Sequence, residues 1–241
     1  MKKLYENDGK LRFWVWLTCA GFCLVSAAVF LMEGDVTASL VCLGTVILVS
    51  IPVAVERFFG LRMHTGFFLF CMVYAMGPML GKAYKLYYLT NWWDKLLHTS
   101  GGVVFAVVGF CLAGGLNGNQ SVSPALRAVF GLCFSIALSA VWELFEYAMD
   151  TFFAMDMQGD TLIHSIHSYI LSDRPGVLYD IPDIRETLVN GTALPKAGYL
   201  DIGLIDTMHD VLVETLGAAA VTVWQLADRD RHPLLRPARI Q

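Results

Sequence analysis

Residues 91–116, NWWDKLLHTSGGVVFAVVGFCLAGGL, join a charged cluster to an apolar run that is long enough to cross a bilayer. A spanning helix needs about 20 apolar residues, and this segment supplies them directly after Asp94, Lys95 and His98. The whole chain has the same character, with 56% hydrophobic residues, 16% charged residues and a mean hydropathy of +0.56. These values are typical of a polytopic membrane protein and argue against a soluble domain.

Six apolar segments have the length of a spanning helix, and together they define one integral membrane domain over residues 1–241. We expect an all-α fold, a polytopic membrane helical bundle with about six transmembrane helices and one long extracytoplasmic loop. The first segment could be a signal peptide, but its length and the lack of a cleavage site favour a retained helix. The expected parts are a tail 1–12, spans of about 13–32, 37–55, 65–84, 93–115, 125–153 and 203–227, a loop 154–202, and a tail 228–241.

The distribution of positive charge predicts the orientation. Eleven of the 17 Lys and Arg residues fall on the side that holds both termini, and six fall on the other. Cytoplasmic segments carry the excess of positive charge, so we expect a multi-pass protein of the cell membrane with both termini in the cytoplasm. The net charge of -4 offers no basic patch for nucleic acid. All six cysteines lie in apolar runs, where they are typical core residues.

The long loop contains Ile163, Ile166 and Ile170 at helical spacing, which predicts a short helix at the membrane interface. His164 and His167 would lie three residues apart on that helix. Surface histidines are common, so they are weak candidates for metal ligands.

Ionisable residues are concentrated in the last three predicted spans, in each case along one helix face. In the predicted topology the three faces lie at one depth, in the outer half of the membrane. Buried charges there are costly unless they meet each other, a cation or water. The fourth span carries Asp94 and His98, the fifth carries Glu143, Glu146 and Asp150, and the sixth carries Asp206, Asp210 and Glu214 with His209 nearby.

A divalent metal ion would relieve the repulsion among these carboxylates. Carboxylate and imidazole donors suit Mg²⁺, Mn²⁺ or Zn²⁺. Helix capping is the alternative for Asp94 and Asp206, and Lys95 could snorkel. The candidate metal ligands are Asp94, His98, Glu143, Glu146, Asp206 and Asp210, and the candidate catalytic residues, as general bases, are His98 and Glu146.

Three motifs, WWDKLLHTSGG, WELFEY and DTMHDVLVETLGA, resemble those of the YjdF-type inner-membrane protein family and the related VanZ-like membrane proteins. The resemblance covers about residues 70–220 and implies a place in the cell envelope rather than a reaction. Glu214, with no obvious Arg nearby, makes the chain more similar to the YjdF type. The resemblance points to Asp94, Lys95, His98, Glu143, Glu146, Asp206, Asp210 and Gly217.

These patterns favour a metal-binding site in the outer half of the membrane that serves a hydrolase or transferase acting on a lipid-linked small molecule. The expected partners are that molecule or membrane lipids. Whether the chain is an enzyme stays open at this point, because the same acids suit a proton- or ion-coupled transporter. A non-catalytic membrane scaffold or sensor, in which the polar faces specify helix pairing, is the third alternative.

Overall fold

The computed structural model describes residues 2–116, 122–229 and 231–237, and most of these are helical. The helices are α1 (Lys2–Met32), α2 (Val36–Phe58), α3 (Thr65–Lys82), α4 (Leu86–Leu89), α5 (Trp93–Leu116), α6 (Pro124–Phe153) and α7 (Leu204–Asp228). The strands are β1 (Leu61–Met63), β2 (Thr161–Ile163), β3 (Ile166–Ser168), β4 (Tyr179–Ile181), β5 (Leu188–Val189), β6 (Thr192–Ala193), β7 (Tyr199–Asp201) and β8 (Leu235–Pro237).

Five helices in the described ranges are long and apolar enough to cross a membrane: Asp8–Met32 within α1, α2, Trp93–Gly115 within α5, α6 and α7. The expected polytopic helical membrane fold is confirmed, and the chain is a multi-pass integral membrane protein. The helix bounds lie within a few residues of the corresponding predicted spans, apart from the start of α1. The predicted span 65–84 corresponds to α3, which is 18 residues long and lies outside this set of five.

The two ends of the chain differ in how the predicted tails are built. The tail predicted over 1–12 continues α1 as helix from Lys2 onward, because no proline interrupts it and Arg12 is buried within the helix packing. In the tail predicted over 228–241, residues 231–237 are described. Residues 1, 230 and 238–241, and the charge of Arg239 that contributed to the predicted orientation, lie outside the described ranges.

The chain divides into two compact units, and the divisions fall within α6 and α7. Unit 1 contains Met1–Ser139 and Leu212–Gln241. Its apolar core is centred on α3, which packs against α1, α2 and α5. The helix continues through Pro78 to Lys82, so the early stop that Gly77 and Pro78 favour does not occur. The largest fully buried apolar side chains of this core are Phe68, Met72, Met79, Val49 and Val107.

A buried polar cluster joins α1, α2 and the start of α3 within unit 1. Arg12 pairs with Glu56, and its Nη2 donates to the Met63 carbonyl at 2.8 Å and to Thr65 Oγ1 at 3.0 Å. The amide of Met63 in turn donates to Glu56 Oε1 at 2.7 Å. The guanidinium also lies 5.3 Å from the centre of the Phe68 ring. The Arg12–Glu56 pair and its hydrogen bonds therefore hold α1, α2 and the start of α3 together.

The C-terminal segment returns to this end of unit 1. Strand β8 pairs antiparallel with β1, so that Leu61 faces Pro237 and Met63 faces Leu235. The amide of His64 extends the ladder by donating to the Leu234 carbonyl at 2.7 Å. The connection between α2 and α3 and the segment after α7 therefore lie together.

Unit 2 contains Ala140–Val211, which is the second half of α6, the long connection and the start of α7. The connection is built of three antiparallel pairs, β2 with β7, β3 with β4 and β5 with β6. The interfacial helix predicted from Ile163, Ile166 and Ile170 is therefore wrong. Ile163 ends β2 and Ile166 begins β3, because these β-branched residues pair with partner strands.

Candidate functional site

The first turn of α5 presents Asp94 and Lys95, the residues that follow the tryptophan pair. Leu96 donates to the Trp92 carbonyl, so the helix is closed from its first turn, and Asp94 lies within that turn. A negative charge there is stabilised by the positive end of the helix dipole. Lys95 Nζ lies 3.3 Å from Asp94 Oδ2, and both side chains are about one-third exposed. Asp94 is thus placed at a solvated helix start, facing the next turn.

One turn deeper, His98 lies between two carboxylates. Its side chain is 8% exposed, Nε2 lies 3.7 Å from Asp94 Oδ1, and Nδ1 lies 3.7 Å from Glu214 Oε2 on α7. Both separations exceed a direct hydrogen bond. Each ring nitrogen therefore faces an acid oxygen.

Glu214 is the more buried of the two acids that flank His98. It is 3% exposed, and its Oε1 has no hydrogen-bond partner within the part of the chain that the structure describes. An ionised carboxylate in apolar surroundings carries a large desolvation cost unless a positive charge compensates it. Glu214, which the sequence places one turn beyond Asp210, thus belongs with His98.

Glycines allow α5 and α7 to approach closely at this level. A Cβ on Gly102 would lie 2.0 Å from the carbonyl oxygen of Glu214, and a Cβ on Gly217 would lie 2.2 Å from the carbonyl oxygen of Thr99. Only residues without a side chain fit such a reciprocal crossing. From α6, Ser135 Oγ donates to the Gly102 carbonyl at 3.2 Å. The close crossing is what brings Glu214 to His98.

Tyr74 on α3 is a member of this region that the sequence did not single out. Its hydroxyl oxygen would lie 3.0 Å from a Cβ on Gly101, and its side chain is within electrostatic range of Glu214. The one available signal was a tyrosine in the middle of an otherwise apolar helix. The Tyr74 side chain therefore lies against α5 at Gly101.

The remaining candidate residues lie in unit 2. Glu143 and Glu146 are both buried on α6, and the indole Nε1 of Trp142 donates to Glu146 Oε1 at 2.8 Å. Asp210 on α7 is 1% exposed. Trp142 holds the carboxylate of Glu146 from its own helix, four residues away. These acids are therefore ordered groups, not flexible surface side chains.

At the start of α7, the carboxylate of Asp201 accepts the amide of Ile205 at 2.8 Å. Asp206 Oδ2 accepts the amide of Gly159 at 2.7 Å, while Gln158 Nε2 donates to Thr207 Oγ1 at 2.6 Å. Asp206 thus fixes the turn that follows α6.

Asp160 is part of an acidic group at the ends of α6 and α7. Partial burial, followed by the charges of neighbouring aspartates, raises the pKa of its carboxyl group. Asp150 is compensated, because it accepts the amides of Met157 at 2.6 Å and Gln158 at 2.8 Å. The neighbouring aspartates, in order of effect, are Asp156, Asp150, Asp201 and Asp206.

The loop histidines have structural partners. His167 Nδ1 lies 3.0 Å from Asp180 Oδ1 across the β3–β4 pair, and His164 Nδ1 lies 3.1 Å from the Ile184 carbonyl. Both contacts hold the connection together.

The six predicted ligands thus divide between the units. Asp94 and His98 lie in unit 1, close to Glu214, and they form one cluster there. That the ligands of unit 1 and those of unit 2 meet at one membrane depth stays a prediction. The ligands in unit 2 are Glu143, Glu146, Asp206 and Asp210.

Comparison with known proteins identifies the family. Residues 13–231 match the family described as predicted membrane protein (DUF2238). No curated protein and no solved structure matched the sequence. The resemblance to the YjdF-type proteins, which this family includes, is confirmed, while the relation to VanZ-like proteins stays a prediction. Because the match spans nearly the whole chain, the protein belongs to the DUF2238 family of membrane proteins.

Proposed function

We propose that this integral membrane protein binds a divalent cation beside His98 and uses it for hydrolysis or group transfer on a lipid-linked substrate. The observation that carries the proposal is the pair of buried side chains His98 and Glu214. A buried acid with one unpartnered oxygen needs positive charge, and an imidazole nitrogen lies 3.7 Å from its other oxygen. A cation would satisfy both.

The distances suit this role. Metal ligands lie about 2.0–2.2 Å from Zn²⁺ or Mg²⁺, so two donors of one ion are separated by at most about 4.4 Å. The 3.7 Å between His98 Nδ1 and Glu214 Oε2 falls within that limit, and so does the 3.7 Å between Nε2 and Asp94 Oδ1. An imidazole binds one ion through one of its two nitrogens, so these are alternative positions on opposite sides of the ring. Imidazole with carboxylate suits Zn²⁺ or Mn²⁺ as well as Mg²⁺. Glu214 therefore joins His98 as a candidate ligand on the Nδ1 side, and Asp94 is the candidate on the Nε2 side.

The other predicted ligands keep their place in the proposal on the sequence argument alone. Glu143, Glu146, Asp206 and Asp210 belong to helix faces that the predicted topology puts at one depth of the membrane. A bound cation would supply a Lewis acid and a water of lowered pKa. With His98 as a ligand, Glu146 is the remaining candidate for the general base, and its contact with Trp142 fixes its direction.

The location of His98 and Glu214 supports the proposed class of substrate. His98 and Glu214 lie within helices that are apolar enough to span the membrane. A substrate that reaches such a depth has to partition into the bilayer, at least with part of its structure. A lipid-linked molecule whose phosphoryl or carbonyl group meets the cation fits this requirement.

Metal analysis of the purified full chain tests the proposal. We expect about one tightly held divalent ion per chain, or saturable Mn²⁺ binding followed by electron paramagnetic resonance, and loss of binding in His98→Ala and Glu143→Ala. Glu186→Ala, at an exposed loop position, serves as the control. Absence of binding in the wild type, or equal binding in His98→Ala, would contradict the proposal.

A proton-coupled carrier is the second candidate, because an imidazole with a carboxylate on each side also suits a proton relay. Proteoliposomes distinguish the two functions. A carrier gives electrogenic flux that depends on the pH gradient and needs no divalent cation, whereas the enzyme gives none.

A further inference from the structure

The β3–β4 hairpin of unit 2 ends in a tip, residues 169–178, in which apolar residues lie on both sides of a polar turn, residues 172–176. Its stem is well defined: Ile166 faces Ile181 in the ladder, and His167 pairs with Asp180. Beyond the stem, the first turn is closed by the amide of Ser172, which donates to the Tyr169 carbonyl. The tip is therefore an ordered part of the unit.

The residues on either side of this turn are apolar and exposed. Ile170 is 93% exposed, and Tyr169 and Leu171 beside it are exposed as well. After the turn, Val177, Leu178 and Tyr179 are also exposed. Residues 172–176 between them are polar, proline or glycine, as turn residues normally are. A patch of exposed apolar groups marks a surface that meets another apolar phase.

The connectivity of the chain keeps the hairpin tip close to the membrane. The connection leaves the end of the membrane helix α6 and enters the membrane helix α7. Its base is clamped by the β2–β7 pair, which ends three residues before Leu204. Ile170 follows Ile163 by seven residues, so it lies within about 24 Å of that clamp. The tip is thus tethered at the membrane surface.

We propose that the exposed apolar residues beside this turn, residues 169–171 and 177–179, insert into the interfacial layer of the lipid bilayer. Ile170 and Leu171 enter the acyl boundary, and Tyr169 and Tyr179 lie at headgroup level, where amphipathic rings are enriched. This contact anchors the long connection to the membrane. It is independent of the proposed function, because it uses none of the metal candidates.

Depth-dependent fluorescence quenching in vesicles tests the contact. The full chain with Cys133→Ala, which removes the exposed native thiol, carries either Ile170→Cys or the control Glu186→Cys. Each variant is labelled with an environment-sensitive fluorophore and reconstituted into phosphatidylcholine–phosphatidylglycerol vesicles. The Cys133→Ala chain without a new cysteine gives the background. Nitroxide lipids then report contact with the bilayer, and iodide reports contact with water.

We expect nitroxide lipids to quench the label at position 170 several-fold more than the label at position 186, and iodide to show the reverse order. Equal iodide quenching at both positions would place the tip in water and overturn the proposal. Protection of position 170 from both quenchers would show that protein covers the tip, from a second copy or another part of the chain, and would also overturn it.

Discussion

Glu214 illustrates how much depends on a single buried carboxylate. It is held against His98 with one oxygen unpartnered within the described residues, so the proposed cation compensates its charge. Replacing it by Gln keeps the shape and removes the charge. We expect Glu214→Gln to weaken Mn²⁺ binding by about 10- to 100-fold, the range seen when groups that support a metal site are changed.

Titration of Mn²⁺ against the purified variant measures this change. Glu186→Gln, the same substitution at an exposed loop position, should bind as the wild type does. Unchanged affinity in a correctly folded Glu214→Gln protein would exclude Glu214 from the site.

The Arg12–Glu56 pair makes a separate prediction for stability. Both side chains are largely buried, and Arg12 also donates to two further groups. Arg12→Met leaves the charge of Glu56 without its partner, which costs about 3–5 kcal/mol for a buried pair. Unfolding in mixed detergent micelles should show that loss, and Arg12→Met with Glu56→Gln should recover part of it. Equal losses in the single and double variants would contradict a buried-charge effect.

At this scale the sequence identified the residues that are out of place in a membrane helix. Asp94, His98 and the acids of α6 and α7 were found because charge in an apolar run is costly and therefore informative. Arg12 was assigned to a tail, and Tyr74 was missed. The groups they lie near, Glu56 for Arg12 and Glu214 for Tyr74, are far away in the sequence.

The crossing of α5 and α7 depends on two glycines. A methyl group on Gly102 or Gly217 would overlap a backbone carbonyl of the other helix, and a backbone cannot rotate away as a side chain can. We expect Gly102→Ala and Gly217→Ala each to cost about 1–3 kcal/mol, as overpacking does, and to weaken cation binding by separating His98 from Glu214.

Gly115→Ala is the matched control on α5, because no atom in the part of the chain that the structure describes lies within 4 Å of a Cβ at that position. Its free energy of unfolding should lie within about 1 kcal/mol of the wild-type value, and any change should be a gain, because alanine has a higher helix propensity than glycine. Thermal unfolding of the three variants gives the comparison. Similar behaviour of all three would show that the helices do not cross at these glycines.

The connection between α6 and α7 makes a prediction for pH dependence. The raised pKa of Asp160, caused first by burial and then by Asp156 and its other acidic neighbours, means that the folded state favours the protonated form. The free energy of unfolding therefore falls as pH rises from the ordinary value of 3.8 through the raised value, and the loss persists at pH 7.

Asp160→Asn should thus stabilise the chain at pH 7 by a few tenths of a kcal/mol, because the group is exposed and screened. The gain should shrink at high salt and vanish below about pH 3.8, where both side chains are neutral. Asp173→Asn, at an exposed position in the same connection, is the control. A stabilisation that is independent of pH and salt would exclude charge repulsion as its cause.

Elements were predictable to different degrees for a physical reason. The apolar length required by a bilayer fixes a helix closely, as for α5 and α6. The connection was assigned a helix because three isoleucines recur at helical spacing. Two of them pair with strands up to 36 residues away, Ile163 facing Tyr199 and Ile166 facing Ile181, and no local pattern reveals such pairing.

For the molecule as a whole, the β1–β8 pair restricts the number of membrane crossings. The pair places Met63 and Leu235 on one side of the membrane, so the chain between them crosses an even number of times. The helices α5, α6 and α7 would make three crossings. The pairing therefore predicts that α3 makes the fourth, which gives six in total.

The properties of α3 agree with such a crossing. Its 18 residues extend about 27 Å, close to the thickness of the hydrocarbon core. Eight of its residues are buried within unit 1.

Accessibility of introduced cysteines to a membrane-impermeant maleimide tests this topology in the full chain. With six crossings and cytoplasmic termini, Arg57→Cys and Arg231→Cys should react only in inverted vesicles, and Glu186→Cys only in intact cells. With five crossings, positions 57 and 231 would react from opposite sides, which contradicts the β1–β8 pair as well as the crossing of α3. If both positions react from outside, the number of crossings holds and the predicted orientation is reversed. The first result alone places His98 and Glu214 at the membrane depth that the proposed function requires.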